Sequence, residues 1–245
     1  MTAQQQKPPT PRRAGPATPA TATGFFGRES SARILPFATY MAFIAIADLC
    51  ERLGMTADQL RWLYPVKALA VVAVLLAYRR HYTELAWRTM RLPHVVQAVA
   101  VGIVVLVLWV NLDAAWMQVG VSAGFNPTDA SGRVDWLLVA CRIAGAALVV
   151  PLMEELFWRS FLMRWLERHD FLDVYPARVG LQAIAVTVVL FGVEHNLWLA
   201  GIVAGIAYSL IYMRSGNLWS AILAHATTNG LLGVWVVVTG SWTYW

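Results

Sequence analysis

Charge is what this sequence has least of. Charged side chains make up 13% of its 245 residues and hydrophobic ones 58%, whereas soluble domains carry about 25% charged residues. That scarcity excludes an ordinary water-soluble domain. It also removes the net charge of +5 as a sign of a nucleic-acid partner, because the basic residues fall in short segments between apolar runs. Cysteine is nearly missing: Cys50 and Cys141 match no ligand or disulfide spacing and read as small apolar residues. Residues 1–30 are rich in Pro, Ala, Thr and Gln and hold no apolar h-region, which argues against a cleavable signal peptide. They have too little apolar surface to build a core, so a disordered basic tail is expected over 1–30. The His-Glu-x-x-His pattern of zinc proteases is absent, and no inverted repeat of the transporter kind is evident.

What the chain does have is long apolar runs. They extend over about 34–49, 64–78, 95–110, 136–153, 179–193, 197–213 and 217–238. Several fall short of the roughly 20 residues needed to span a bilayer, so helices are expected to continue into their polar flanks. The 12 tryptophans suit the aromatic belts of a membrane protein. Residues 31–245 therefore read as a single all-α domain, a polytopic transmembrane bundle of about seven or eight helices enclosing an intramembrane cavity.

Loop charges set the expected orientation. Arg12, Arg13, Arg28 and Arg33 precede the first run; Arg79, Arg80, Arg88 and Arg91 follow the second. Arg164, Arg168 and Arg178 lie between the fourth and fifth, and Arg214 follows the sixth. Asp113, Asp129 and Asp135 lie in 111–135, against Arg133 alone. The positive-inside rule then places the N-terminus and the basic loops in the cytoplasm, with 111–135 and the aromatic segment 241–245 on the far side.

Three polar clusters interrupt these runs: Glu154-Glu155 with Arg159, Glu194-His195-Asn196, and His225 with Asn229. Ionisable groups inside a spanning segment cost about 2.5–3.5 kcal/mol each on insertion scales, so a functional role is the default reading. Glu155 and Arg159 are i and i+4 and share a helix face; Glu154 is turned by about 100° and meets a different neighbour. His225 and Asn229 repeat the i, i+4 spacing, as do Phe191 and His195. A free carboxylate beside an imidazole can activate water. A second imidazole with an amide can donate to an oxyanion. Those are the needs of amide hydrolysis. Each cluster alone also has a plain structural reading: an ion pair, a satisfied core histidine, an interhelical hydrogen bond. Glu194 is a rival for the carboxylate role, although on a continuous helix His195 would face elsewhere. Arg142, about 18 Å along the helix from Glu154 at 1.5 Å per residue, reads as an interfacial anchor. Threading the runs puts Glu154 and His195 towards opposite membrane faces, so a tilted or broken helix is required for them to meet.

The motifs Glu-Glu-x-x-x-Arg (Glu154, Glu155, Arg159), Phe-x-x-x-His (Phe191, His195) and His-x-x-x-Asn (His225, Asn229) resemble those of the type II CAAX prenyl endopeptidases and their bacterial relatives. The resemblance covers about residues 134–238. With Arg33-Ile-Leu-Pro-Phe near the start, the chain also resembles a bacterial subgroup associated with exosortase and PEP-CTERM sorting systems. The resemblance implies a glutamate-dependent, metal-independent intramembrane endopeptidase of a bacterial inner membrane, with a cavity open to membrane and cytoplasm. In it Glu154 and His195 activate water, His225 and Asn229 form the oxyanion hole, and Glu155 and Arg159 orient the site. Expected partners are membrane lipid and a membrane-associated or lipidated protein substrate cut near its C-terminus, with exosortase components as further candidates. No cofactor is expected. Two other readings stay open: zinc held by the two histidines and a glutamate, and a non-catalytic sorting scaffold that keeps the protease fold.

Overall fold

A computed structural model describes residues 27–245 except 87–89, 121, 123 and 130. Most of the tail expected to be disordered lies outside the described residues; its last three, 28–30, already belong to the first helix. Among the described residues seven apolar helices follow one another: α1 (Arg28–Arg52), α2 (Ala57–Ala77, with a turn at Arg61-Trp62), α3 (Leu92–Trp109), α4 (Trp136–Trp165), α5 (Leu181–Val193), α6 (Trp198–Ser215) and α7 (Leu218–Thr239). Six are long and apolar enough to cross a membrane, and α5 is shorter. As expected, α1, α2 and α4 run well beyond their apolar segments, whereas α5 starts two residues inside its own.

Local chemistry sets the boundaries. The Asp135 carboxylate accepts from the amides of Leu137 and Leu138 and caps α4; the Asn217 side chain caps α7 at Trp219 N. Gly216 and Gly240, at φ +66° and +69°, end α6 and α7 in the left-handed conformation that glycine alone adopts freely. Among the helices, α7 packs on α3, α6 and α4, α5 pairs with α6, and α1 with α2. Small residues allow the closest approaches. A Cβ on Gly102 of α3 would stand 2.7 Å from Thr227 Cβ of α7, and one on Gly201 of α6 would stand 3.0 Å from Gly192 Cα of α5.

The bundle has two chemically distinct ends. At the basic end, Arg33 of α1 is fully buried. Its guanidinium grips Glu84 with Nε and Nη2 at 2.8 and 2.6 Å, and reaches Ser160 Oγ and the carbonyls of Glu29 and His81. The Ser160 hydroxyl donates to Glu84, and Arg164 donates to Ser160 Oγ at 2.8 Å. Arg33 and Arg164, which sequence reading counts as loop charges, are thus consumed in a clasp joining α1, the 79–86 segment and α4. Burial opposes charge on Glu84, but the Arg33 guanidinium and the Arg33 and Ser160 hydrogen bonds outweigh it and hold the carboxyl below its ordinary range. The opposite end gathers 111–120, the described part of 121–135, the α5–α6 break and residues 241–245. Tyr244 donates to Asp113 at 3.0 Å, and Asn196 donates to the Val119 carbonyl.

Candidate active site

The cavity between these ends measures about 370 Å³ and is lined by Glu154, Glu194, His195, His225 and Asn229 together. Five of the polar side chains that sequence reading placed in three separate clusters therefore face one space.

The depth conflict between Glu154 and His195 resolves through unequal helices. The Glu167 carboxylate accepts from Gly180 N at 2.8 Å, which sets the end of α4 level with the start of α5. Glu154 lies thirteen residues back from Glu167, about 20 Å, and His195 fifteen residues on from Gly180, about 22 Å, at 1.5 Å per residue. Because α5 stops at Val193, the chain breaks at that depth and presents Glu194 and His195 at a helix end. The 100° separation of neighbouring helical residues no longer applies there, so Glu194 enters the cavity beside His195. Glu194 is the site residue that sequence reading left as a rival. Its signal was its position next to the break, which a continuous-helix argument conceals.

Glu155 and Arg159 stand behind the cavity, both with fully buried side chains. Arg159 Nη1 donates to Glu155 Oε1 at 3.1 Å, and His225 Nδ1 lies 2.9 Å from the same oxygen. Arg159 Nη2 also donates to the Gly205 carbonyl at 3.3 Å, and its guanidinium covers the Phe191 ring at 4.2 Å. A carboxylate paired with an arginine is an acceptor only. His225 Nδ1 therefore carries the proton, and Nε2 is the ring nitrogen left for the cavity. The ring stacks on Tyr208 at 4.8 Å and 18°, and the Tyr208 hydroxyl is fixed by Thr228 at 2.8 Å. His195 obeys the same logic. Its Nδ1 lies 2.7 Å from the Phe191 carbonyl, which can only accept, and its ring meets Trp109 edge-on at 5.3 Å. Phe191 thus holds two partners at once, His195 through its carbonyl and Arg159 through its ring.

Glu154 is buried, and its Oε2 accepts no hydrogen bond among the described residues. It is the carboxylate of the pair left open to the cavity. Asn229 Nδ2 donates to the Ala146 carbonyl at 2.9 Å. The reason lies in α4, where Gly145–Val149 is wound as a π-segment and Val150 N returns to Gly145 O. In that register the next donor would be residue 151, a proline with no N–H. Ala146 O is left without a helical partner, and Asn229 supplies one. One amide hydrogen of Asn229 is thereby committed to structure and the other remains.

Two expectations need correction. Arg142 does not merely anchor the helix end; it lines the cavity. So do Tyr244 and Trp245, from the segment expected to be an interfacial anchor. The lining runs from Glu154 towards Arg142, Asn196 and Tyr244, away from the basic loops. Among the described residues, no three His, Cys, Asp or Glu side chains converge as a metal-ligand group.

Neither a curated protein nor a solved structure matches the chain. Residues 136–231 do match the family model of the type II CAAX prenyl endopeptidases, Rce1-like. That stretch carries every cluster from Glu154 to Asn229, and over it the chain is similar to that family.

Proposed function

We propose that the protein is an intramembrane endopeptidase that cuts a membrane-associated protein near its C-terminus, using water activated by Glu154 and His195. Similarity to that family over residues 136–231 supports membrane-protease activity of the CAAX type. The observation that carries the finer reading is the unpartnered, buried Glu154 carboxylate sharing one cavity with His195, His225 and Asn229. Water held between Glu154 and His195 Nε2 gives its proton to Glu154 as its oxygen attacks the peptide carbonyl. The oxyanion then accepts hydrogen bonds from the free amide hydrogen of Asn229 and from His225 when Nε2 carries a proton. Glu155 and Arg159 act through His225, fixing its ring. Collapse of the tetrahedral species breaks the C–N bond. The proton held by Glu154 passes to the leaving amine, giving a carboxylic acid and a free amine.

A second carboxylate changes the proton accounting. Glu194 lines the same cavity and stands beside the Trp158 indole. Two carboxylates in one low-dielectric space repel each other when both are ionised, which gives Glu194 a part in the proton transfers at Glu154. Glu194→Gln should therefore reduce kcat more than it raises KM.

The decisive comparison is of protein termini in host membranes carrying wild type or Glu154→Gln. New termini that require Glu154 support the peptidase. Identical termini, with the variant still supporting protein sorting, support the scaffold reading instead.

A further inference from the structure

The cavity sits off-centre along the bundle. On every helix that lines it, at least seven residues, about 10 Å at 1.5 Å per residue, separate the lining from the basic end. At the other end the lining passes the helix termini. It takes in Trp109, the last residue of α3, Asn196 in the α5–α6 break, and Tyr244 and Trp245. No described residue of 78–94 or 164–180 reaches it. The layer on the basic side is solid: Glu155, Arg159, Phe161, Arg33 and Phe171 have no exposed surface. The Phe171 ring takes the guanidiniums of Arg33 and Arg164 at 5.1 and 5.5 Å. Arg33, Glu84, Ser160 and Arg164 hydrogen-bond one another. A file of water needs two to four free polar partners per molecule, and this layer offers no such route.

We propose that the cavity opens on the membrane face that carries 111–135 and 241–245, opposite the basic loops, and that its substrate is an exported protein still anchored in the membrane at that face. The substrate clause rests on the peptidase reading; the access does not. Arg168, exposed beside Glu167, marks the basic interface. Glu154 lies about 20 Å along α4 from that level, which leaves about 10 Å of a hydrocarbon layer about 30 Å thick. The excess of Lys and Arg on the basic loops makes theirs the cytoplasmic face, so the open face is the outer one. A protein held on the cytoplasmic face by a lipid would have to carry its cleaved bond through the solid layer. A translocated polypeptide with an apolar anchor meets Glu154 from the side where the lining already reaches the surface.

Side-specific thiol labelling tests this without any turnover. In a chain with Cys50→Ala and Cys141→Ala, Met41→Cys and Leu232→Cys report on the lining. Ser131→Cys reports on the far face and Arg80→Cys on the basic face. Right-side-out and inside-out membrane vesicles are treated with the impermeant anion 2-sulfonatoethyl methanethiosulfonate, and the thiols left free are counted by maleimide-PEG gel shift. Met41→Cys and Leu232→Cys should react at least about tenfold faster in the vesicles that expose Ser131→Cys than in those that expose Arg80→Cys, since a buried layer resists a charged reagent. Faster reaction from the Arg80 side overturns the proposal. So do equal rates from both sides, or no reaction in vesicles at positions that react in detergent. Ser131→Cys labelled only in inside-out vesicles overturns the substrate clause, because the open face would then be cytoplasmic. The comparison of termini in host membranes decides the peptidase reading separately; new termini on cytoplasmic proteins alone would keep that reading and overturn this one.

Discussion

His225 Nδ1 meets Glu155 Oε1 at 2.9 Å across seventy residues of sequence, and the same oxygen takes the Arg159 guanidinium at 3.1 Å. One carboxylate oxygen thus binds α4 to itself and to α7. The His225 imidazole is oriented by a charge that does not line the cavity.

Breaking that junction on one side should cost more than removing it. Glu155→Gln or Arg159→Met alone leaves a buried charge unpaired, with an expected loss of about 3–5 kcal/mol, and the double variant should recover part of it. Unfolding in detergent measures the three values. A double variant less stable than either single one would show that the pair is not the source of the cost.

Asn229 makes a structural bond to Ala146 and has a proposed role at the oxyanion, and a second substitution can separate the two. Asn229→Ala orphans the Ala146 carbonyl and should destabilise by about 1–3 kcal/mol. Pro151→Ala restores an N–H in the π register, so in that background Asn229→Ala should cost distinctly less. Activity should stay low in both backgrounds if the second amide hydrogen serves the oxyanion. Recovery of activity along with stability would assign Asn229 to structure alone.

The close contact of α3 and α7 predicts opposite outcomes at two glycines. A Cβ on Gly102 would stand 2.7 Å from Thr227 Cβ, so Gly102→Ala should lose about 1–3 kcal/mol by overpacking. A Cβ on Gly230 meets only Ala147 Cβ, at 3.5 Å, and Gly230→Ala should be neutral or stabilising by about 0.5–1 kcal/mol. Melting temperatures of the two variants make the comparison.

The basic-end clasp should be acid-sensitive. Arg33 and Ser160 hold the folded Glu84 carboxyl below its ordinary value of 4.5, against the effect of burial. A depressed folded value means that its stabilisation is fully present above about pH 4.5 and is lost as pH falls through the folded value. Wild type should therefore exceed Glu84→Gln in stability at pH 7, and the gap should close below pH 4.5. A gap that widens in acid would contradict the ion pair.

The helices were legible because lipid leaves them no alternative: each run from 34–49 to 217–238 lies within one observed helix or misses an end by a residue or two. The motif residues were legible for the same reason, since Glu154, His195 and His225 are costly in apolar surroundings unless used. Glu194 was harder to assign because its role depends on how the chain turns after α5 ends at Val193: the runs 179–193 and 197–213 mark a break there, but not which of its side chains the break points into the bundle. Arg33 and Arg164 were misread because a buried arginine and a loop arginine look alike until Glu84, from a segment distant in sequence, is brought against them. The Asn229–Ala146 bond needed the π register, which no periodicity reveals.

That register has a consequence for how the gene can change. Glu154 and Glu155 lie between two π-wound stretches, Gly145–Val149 and Leu156–Leu162. Each residue of an α-helix turns the chain by about 100°, and a π-turn absorbs an additional one. Deleting a single residue from 145–149 would return the stretch to α winding with Arg142 and both glutamates on their present faces, whereas inserting another would swing the glutamates about a quarter-turn away from the cavity. Apolar exchanges in this stretch can be frequent and one codon can be lost, yet a one-codon insertion beyond the π-turn cannot be neutral. Phase, more than hydrophobicity, is the inherited quantity here.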